Sequence, residues 1–493
     1  MSNLAVLPII IPLISAIILV FFNSKTNMVR FLAKLFSLIG LGVATYVTWY
    51  VLENGSIILE TGDWIAPYGI ILVMDSLASI LVLTTNIIAV ASVFFSPKAG
   101  LGEKEKFYFY PFLFFLITGV SGAFVTGDLF NLFVFFEVLL MASYALIVLG
   151  GGKVQLRESV KYMLINLFSS MVFVTAVALL YGVVGTVNMA QIAQRVTEVE
   201  QQGILTTIAI LLFFVFATKA AVFPLYYWLP NSYSVPNPVI SALFGALLTK
   251  VGIYSIIRVF TLIFVHNIEL THEIFIWIAG LSLIFGVIGA LSTNNIKLIV
   301  AYNIIPAIGY IIMGIGLFNQ SALSGSIYYL IQDMIVKAAL FLLIGVIAYA
   351  AGTDDLRKMG GLIHHYPILG WLLFAFAFVL AGIPPFSGFI GKLLLLQGAF
   401  EEEAIVISII ALLTSLLILY SIIKIFIRGF WGDKDAMGNF KKKSIKGMVS
   451  PIIFLLIFII GLGVGAEFFY PIVDSISAYL LDPEIYINSV LKE

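Results

Sequence analysis

The chain has 493 residues, of which 61% are hydrophobic and only 11% are charged. A water-soluble protein of this length has no interior large enough for so much apolar surface, so the composition predicts a protein whose solvent is the lipid bilayer. The formal net charge is zero, which gives no reason to expect nucleic acid as a partner. Cysteine is absent, and this excludes disulfide bonds, thiolate-ligated iron–sulfur clusters and thiol chemistry within the chain.

Apolar runs long enough to cross a bilayer recur along the whole chain and predict an all-α polytopic membrane protein with fourteen transmembrane helices. The first run follows no basic segment and lacks a small-residue cleavage site, so we expect a retained span and not a signal peptide. Residues 54–69 alternate apolar and turn residues and are expected to form an extracellular hairpin. The predicted spans are 4–22, 29–51, 70–95, 107–126, 128–150, 158–183, 204–229, 236–263, 271–293, 296–318, 321–350, 368–400, 404–428 and 449–473.

The basic residues in the loops sort to one side of this arrangement, which the positive-inside rule assigns to the cytoplasm. That side receives 18 of the 26 Lys and Arg, whereas the other side receives only Arg195 and Lys492 together with many acids. If the number of spans were wrong by one, the basic residues after that span would fall on the opposite side. We therefore predict fourteen spans with both termini outside the cell. The 18 residues are Lys25, Arg30, Lys34, Lys98, Lys104, Lys106, Lys153, Arg157, Lys161, Lys297, Arg357, Lys358, Arg428, Lys434, Lys441, Lys442, Lys443 and Lys446.

The six remaining basic residues fall within predicted spans or at their ends. Arg258 and Lys424 lie near helix ends, and we expect their charged groups to extend to the surface. A lysine at the centre of the bilayer costs roughly 2.5–3.5 kcal/mol on insertion scales, and charges at that depth usually serve function. Glu137 and Asp333 are the acids predicted at similar depth, with Asp75 near the start of the third span. The four lysines expected to lie deep are Lys219, Lys250, Lys337 and Lys392.

Prolines are predicted to interrupt two of the apolar runs. Pro224 and Pro230 follow Lys219 in the seventh span, and a proline inside a helix removes a hydrogen bond. In the twelfth span, Pro384 and Pro385 precede Lys392 in the run AGIPPFSGFIGK. Interrupted segments at corresponding places in two halves are typical of inverted-repeat transporters, so we predict inverted five-helix repeats in spans 4–8 and 9–13, with broken helices 7 and 12.

This arrangement predicts four parts of the chain. Residues 1–106 would form peripheral helices 1–3 with the extracellular hairpin, 107–263 the first repeat, 264–428 the second repeat, and 429–493 a basic loop and helix 14. The basic run at 441–446 is expected to contact anionic lipid headgroups or a partner.

The deep charges suggest proton transfer. Glu137 beside Lys219 would form a pair in which movement of the carboxylate changes how readily the lysine releases its proton; the alternative is a static interhelical salt bridge. Asp333 and Lys337 are four residues apart on one helix face, where they either link the two halves of a path or simply neutralise each other. Tyr227 and Thr249 are candidates for anchoring water along the path.

Nothing in the sequence predicts an enzyme site, a cofactor or a metal centre. There is no glycine-rich phosphate loop and no hydrolase constellation. His364 and His365 form an adjacent pair that could sense pH or bind metal, but a solvated loop is the expected interpretation.

The motifs DLFNLFVFFEVLLMASYAL, ESVKYMLINLFSS, KAAVFPLYYWLPNSYSVPNPVISALFGALLTKVGIY and GIPPFSGFIGK lie in spans 4–13. With them the chain resembles the antiporter-like subunits shared by respiratory complex I, membrane-bound hydrogenases and Mrp-type cation/proton antiporters, and it is most similar to the Mrp type. The resemblance implies fourteen helices, inverted repeats, and functional residues at Glu137, Lys219, Lys250, Lys337 and Lys392. Relatives often carry histidines on helices 8 and 11, whereas Gly245 and Asp333 stand at or near such places here, which suggests a path of lysines, water and hydroxyls.

Three hypotheses follow. In the first, the chain is the proton-carrying subunit of a hetero-oligomeric Na⁺/H⁺ antiporter in the cell membrane of a prokaryote, with H⁺ and Na⁺ as its ions and lipid and the other subunits as its partners. In the second, it is the proton-pumping subunit of a redox-driven complex. In the third, it is a scaffold that conducts no ions.

Overall fold

The computed structural model describes residues 2–433 and 442–492, and Lys434 and Lys441 of the predicted cytoplasmic set lie outside the described residues. Almost all regular structure is helical, with one small two-stranded ribbon. The helices are α1 (Leu7–Phe22), α2 (Thr26–Asn54), α3 (Ser76–Phe95), α4 (Phe109–Val125), α5 (Leu129–Val148), α6 (Lys153–Val184), α7 (Met189–Val196), α8 (Gln202–Ala220), α9 (Leu229–Ser234), α10 (Pro238–Leu243), α11 (Thr249–Leu262), α12 (Ile268–Ser292), α13 (Ile296–Tyr302), α14 (Ile304–Leu317), α15 (Gln320–Ala351), α16 (Pro367–Ala381), α17 (Ser387–Glu401), α18 (Ile405–Ile425), α19 (Ser450–Val464), α20 (Ala466–Leu481) and α21 (Pro483–Leu491).

The helices follow the predicted apolar runs. Over residues 2–433 and 442–492, eleven helices are long and apolar enough to cross a membrane, and twelve if the bent pair α19–α20 counts as one span. Two shorter apolar helices, α4 and α16, coincide with two further predicted spans. The chain is therefore a helical, multi-pass membrane protein, as the hydropathy pattern predicts.

The third span starts later than predicted. Residues 70–74 were expected to begin it, but β2 (Ile71–Met74) pairs antiparallel with β1 (Ile57–Glu60), with Ile57 opposite Met74. Asp75 is the reason for the boundary, because its Oδ1 accepts a hydrogen bond from the Ala78 N–H at 2.8 Å and so caps α3. The apolar strand and the apolar helix form one uninterrupted run in the sequence, which hydropathy alone cannot divide.

The last span, predicted as one segment over 449–473, is two helices that meet at 80°. Helix α19 ends where the Gly465 N–H donates to the Gly461 carbonyl at 2.8 Å, and α20 then begins in a new direction. Glycine is a poor helix former, and Gly461, Gly463 and Gly465 lie together at this bend. Gly463 also lets α19 approach the chain closely, because a Cβ there would lie 2.2 Å from the Pro385 carbonyl oxygen.

The interior of the molecule is formed by a few central helices. The apolar window of the continuous helical segment 238–262, in which a π-helical turn over Phe244–Leu248 joins α10 to α11, is 100% buried, whereas that of α2 is only 28% buried. Helices α3, α13–α14 and α15 are also largely enclosed. Charged groups on α11 and α15 are therefore surrounded by protein, which can pair them, and not by lipid.

Two pairs of loops repeat one backbone arrangement. Asp128 bridges Asn188 and precedes it by 60 positions, and Asn295 bridges Asp355 with the same separation. The last helix before the second partner of each pair, α6 in the first and α15 in the second, has 32 residues. The reciprocal backbone hydrogen bonds are also the same: Leu129 N–H to Val187 C=O (2.9 Å), Met189 N–H to Gly127 C=O (2.9 Å), Ile296 N–H to Asp354 C=O (3.0 Å) and Leu356 N–H to Asn294 C=O (2.9 Å).

Because the loops and helices match without insertion, each position of α6 corresponds to the position of α15 that lies 167 residues later. Both helices end at a glycine with positive φ, Gly185 at 70° and Gly352 at 76°. This backbone conformation closes the last helical turn, and a side chain with a Cβ adopts it at a cost. Helices α6 and α15 therefore match in length, in the glycine that ends them and in the loops that flank them.

Candidate ion path

The first interruption of a long apolar helix lies just after Lys219. Helix α8 ends at Ala220, and Ala221 adopts a left-handed conformation with φ of 61° before the chain reaches Pro224. The Thr218 carbonyl accepts hydrogen bonds from the Ala221 N–H at 3.3 Å and from the Trp228 indole Nε1 at 3.2 Å. The break is therefore tolerated because nearby donors satisfy this carbonyl at the end of α8.

Pro230 and Tyr227 differ from their predicted roles. Pro230 was expected at the helix break, but it lies in the first turn of α9, where a proline costs no hydrogen bond because that N–H has no helical partner. Tyr227 was expected beside the path, but its exposed fraction is 70%. The short 3₁₀ turn Leu225–Trp228 directs Trp228 inward and leaves Tyr227 on the surface.

Lys219 is buried, with an exposed fraction of 4%. Its Nζ donates to the Asn166 carbonyl and to the Ser170 Oγ, both at 3.2 Å, and lies 5.8 Å from the centre of the Phe136 ring. Ser170 in turn donates from Oγ to the Glu137 Oε1 at 2.5 Å. The predicted pairing of Glu137 with Lys219 is thus indirect: no ion pair within 4.0 Å joins the two groups, and the Ser170 hydroxyl lies between them.

The centre of the molecule holds a fully buried triad of charges. Asp333 on α15 forms an ion pair with Lys250 on α11, with Oδ2 2.8 Å from Nζ, and a second with Lys337, one turn later on its own helix, with Oδ1 3.4 Å from Nζ. All three side chains have an exposed fraction of 0%. Asp333 and Lys337 are therefore not an isolated pair, because the same carboxylate also pairs with a lysine from another helix.

Each of the two lysines in the triad also donates a hydrogen bond to a backbone carbonyl. Lys250 Nζ donates to the Gly245 carbonyl at 3.0 Å, within the π-helical turn, and Lys337 Nζ donates to the Asn303 carbonyl at 2.8 Å, at the junction of α13 and α14. Thr249 precedes Lys250 and Gln332 precedes Asp333 in the chain, and both are buried with side-chain atoms that have no hydrogen-bond partner in the protein. Buried polar groups of this kind commonly bind ordered water, and the role of Thr249 in anchoring water stays a prediction.

Lys392 lies at the second interruption, beyond the break over 382–386 and in the second turn of α17. Its Nζ reaches back across the break to the carbonyls of Leu380 at 2.7 Å and Ala381 at 3.3 Å, and it also donates to the Ser415 Oγ at 2.6 Å. The ammonium is 4.7 Å from the centre of the Tyr310 ring. A positive charge at the carbonyl end of a helix is favourable, so Lys392 stabilises the end of α16 that the break exposes. Pro384 and Pro385 both lie within this interruption.

Two further basic side chains do not reach the surface as expected. Arg258 is 3% exposed, and its Nη2 pairs with the Asp75 carboxylate that also caps α3. Lys424 donates to the carbonyls of Leu291 at 3.1 Å and Thr293 at 2.8 Å, at the end of α12. Arg258 thus has a buried ion-pair partner, which offsets the cost of burying its charge, whereas Lys424 extends to half-buried carbonyls at the end of α12.

The hydroxyl and carbonyl partners of the lysines were missed by sequence reasoning. Ser170, Asn303 and Ser415 are small polar residues within apolar runs, and no local pattern separates them from polar residues that bond only to their own helix. Repetition of the 32-residue helix could have indicated Ser170, because it occupies the position in α6 that Lys337 occupies in α15.

The adjacent histidines lie outside this arrangement. His364 ends a short 3₁₀ turn in the loop between α15 and α16, and His365 follows it. Within residues 2–433 and 442–492, no group of three His, Asp or Glu side chains is placed to hold a metal ion.

A multi-pass helical bundle with two interrupted helices, and with buried lysines paired to acids, hydroxyls and carbonyls, defines the class of ion-translocating membrane proteins. The profile of the family described as NADH:quinone oxidoreductase/Mrp antiporter, transmembrane region, matches residues 126–418. The chain belongs to this family.

Relatives and solved structures agree along almost the whole chain. The chain is 48% identical to a Na⁺/H⁺ antiporter subunit of Bacillus subtilis over 100% of both sequences. A chain in the structure of the Mrp complex from a Dietzia species is 30% identical, with a TM-score of 0.91 and 99% of both chains covered. A chain of an archaeal respiratory complex, the membrane-bound sulfane sulfur reductase, is 25% identical, with a TM-score of 0.92 and 99% of both chains covered.

Proposed function

We propose that this chain is the proton-translocating membrane subunit of a hetero-oligomeric Na⁺/H⁺ antiporter in a prokaryotic cell membrane. The observation that carries the proposal is the buried triad of Lys250, Asp333 and Lys337, flanked by Lys219 and Lys392 at the two helix breaks. Burial of four lysines costs free energy, and buried charges in membrane proteins usually serve function. A buried lysine changes its protonation state readily, which suits it to proton relay. The chain's likeness to the Na⁺/H⁺ antiporter subunit of Bacillus subtilis supports the choice of ions and of partners.

The deep residues have distinct roles in this proposal. Glu137 modulates proton release from Lys219, Lys250 and Lys337 relay protons across the centre, and Lys392 exchanges protons with one side of the membrane. Asp333 holds the two central lysines, so a proton that leaves either one changes how strongly the carboxylate attracts the other. The proton gradient supplies the free energy that drives Na⁺ out of the cell. Thr249 provides a hydroxyl at which water can bind along the relay.

The proposal includes fourteen transmembrane helices and two inverted five-helix repeats, over residues 107–263 and 264–428. With both termini outside, the Asp128–Asn188 bridge falls on the outer side and the Asn295–Asp355 bridge falls on the cytoplasmic side. The same loop arrangement on opposite faces is what an inverted repeat requires, and this supports the proposal. The remaining parts are a peripheral region, 1–106, and a basic loop with the last span, 429–493.

The experiment is Na⁺-driven proton flux in vesicles that contain the complete antiporter complex. Replacement of Glu137 or Lys219 by alanine is expected to abolish the flux while the complex still assembles. The matched control is Glu200→Ala, because Glu200 is exposed in the loop between α7 and α8 and touches none of the deep lysines. Full exchange by the Glu137→Ala complex would overturn the proposed role of that carboxylate. Retention of exchange after replacement of all four deep lysines would support the scaffold hypothesis.

The second candidate is the proton-pumping subunit of a redox-driven complex, and the likeness to a chain of the archaeal sulfane sulfur reductase complex favours it. The chemistry within this chain would be the same in both cases. Purification with small membrane subunits would support the antiporter, whereas purification with flavin and iron–sulfur subunits would support the redox complex.

A further inference from the structure

We propose that the Ser170 hydroxyl is the proton link between Lys219 and Glu137, an inference that rests on the proposed function and names a further residue for it. The observation is one continuous chain of hydrogen bonds across three helices. Lys219 on α8 donates to Ser170 on α6 at 3.2 Å, and Ser170 donates to Glu137 on α5 at 2.5 Å. The lysine and the carboxylate make no ion pair within 4.0 Å of each other, so the hydroxyl is their connection.

The direction of these hydrogen bonds follows from the chemistry of the three groups. A charged lysine has only donors and an ionised carboxylate has only acceptors, whereas a hydroxyl can donate and accept at once. Ser170 therefore accepts from Lys219 with an Oγ lone pair and has its single proton left for Glu137. This is the orientation in which a proton can pass from the lysine to the carboxylate through one intermediate.

Proton transfer along this chain balances without any other reactant. The Nζ–H bond of Lys219 breaks as the Ser170 Oγ gains that proton, and the original Oγ–H bond breaks as Glu137 Oε1 gains its proton. The products are a neutral lysine, an intact serine hydroxyl and a protonated carboxyl group. The reverse sequence recharges Lys219, so the link works in both directions of transport.

The repeated helix supports a functional role for this position. Ser170 in α6 and Lys337 in α15 are equivalent, as are Asn166 and Asp333, each pair being 167 residues apart in helices of equal length. In the second repeat, Asp333 and Lys337 contact each other and Lys337 Nζ donates to Asn303. In the first repeat, Asn166 and Ser170 are the two residues that Lys219 contacts through hydrogen bonds. The two halves thus present the same helix positions to the path, with neutral groups in one and charged groups in the other.

Ser170 is buried, so its hydroxyl is not a surface group that solvent water could replace. Its exposed fraction is 6%, and Lys219 beside it is 4% exposed. The Phe136 ring closes the other side of the ammonium at 5.8 Å. Alanine at this position has no hydroxyl, so Lys219 would keep only the Asn166 carbonyl among its present hydrogen-bond partners.

The test uses the complete complex in vesicles and measures Na⁺-driven proton flux as a function of pH. We expect Ser170→Ala to lower the flux by about tenfold or more and to change its pH profile, since proton transfer becomes the slow step. Ser170→Thr keeps the hydroxyl and should retain most of the flux. The matched control is Ser169→Ala, because Ser169 is the next residue, is fully buried and donates to the Val215 carbonyl at 3.3 Å outside this chain of hydrogen bonds.

Each outcome decides the question. Wild-type flux and pH profile in Ser170→Ala, with inactive Glu137→Ala, would overturn the link and leave the proposed function intact. Absence of Na⁺-driven flux in the wild-type complex would overturn the proposed function itself. If Ser170→Ala does not assemble, Ser170→Cys provides the comparison, since a thiol is a weaker donor of similar shape. An assembled Ser170→Cys complex with reduced flux supports the link, and one with wild-type flux and pH profile contradicts it.

Discussion

Individual buried charges in this protein are stabilised by specific partners and not by the surrounding solvent. Asp333 compensates two lysines, Asp75 compensates Arg258, and the ammonium groups of Lys392 and Lys424 bind carbonyls at the ends of helices. An unpaired buried charge would cost several kcal/mol, whereas each pair reduces that cost through Coulomb attraction and hydrogen bonding. The deep cations are therefore compatible with folding.

Asp333 is predicted to be the most sensitive single carboxylate in the chain. Asp333→Asn would leave Lys250 and Lys337 without their shared negative charge, and loss of one partner of a buried ion pair typically costs about 3–5 kcal/mol. We expect a lower Tm for the purified chain in detergent and loss of Na⁺-driven proton flux in vesicles.

The control for this substitution is Asp63→Asn, because Asp63 is exposed and already adopts a left-handed conformation with φ of 58°, which asparagine accepts readily. Its Tm and flux should match those of the wild type. An Asp333→Asn chain that is equally stable and equally active would contradict the central role of this carboxylate.

Helix packing places the deep lysines by close approach of backbones. Gly252 on α11 faces α8, and a Cβ at this position would lie 2.7 Å from the Ala220 nitrogen and 2.9 Å from the Phe216 carbonyl oxygen. Small residues at helix contacts are the usual means of tight association inside membranes. Gly252 is two residues from Lys250, and Ala220 is next to Lys219, so this contact affects the relative position of the two lysines.

Gly252→Ala is therefore expected to force α11 away from α8. Overpacking of this kind costs about 1–3 kcal/mol, and it should lower both the Tm and the proton flux because the two lysines move relative to each other. Gly42→Ala in α2 is the matched control, since a Cβ there meets nothing within 4 Å. That variant should be unchanged or more stable by about 1 kcal/mol, because alanine favours the helix. Equal Tm values for the two variants would contradict the close contact.

The arrangement of the whole molecule across the membrane can be tested because the chain contains no cysteine. Single-cysteine variants at Glu200 and Lys358 introduce one thiol on each proposed side, and both side chains are exposed. A membrane-impermeant thiol reagent applied to intact cells is expected to label Glu200→Cys, and to label Lys358→Cys only after the membrane is permeabilised. Labelling of both from outside, or the opposite pattern, would overturn the proposed fourteen-span arrangement.

Much of the helical architecture follows from local sequence. Each predicted apolar run is occupied by helix, because a run of this length must satisfy its own backbone groups inside a bilayer. The burial of Lys219, Lys250, Lys337 and Lys392 is confirmed as well, since each lies far from the ends of a long apolar run. The start of α3 and the bend between α19 and α20 were not predicted, because a strand, a bend and a helix can share the same hydropathy.

The partners of the charged groups could not be derived in this way. Arg258 and Asp75 are 183 residues apart in the chain, and Ser170 is 49 residues from Lys219 and 33 from Glu137. Their contacts depend on which helices pack together and on the rotation of each helix about its axis, and neither quantity is encoded in local hydropathy. The amino-acid sequence is thus sufficient to predict a membrane protein with buried lysines at two helix breaks, since transfer of each segment from water to lipid is governed by its own composition. Only the tertiary structure decides that Asp333 joins two lysines and that a serine separates Lys219 from Glu137, because a hydrogen bond depends on distances of a few tenths of an ångström between helices distant in sequence.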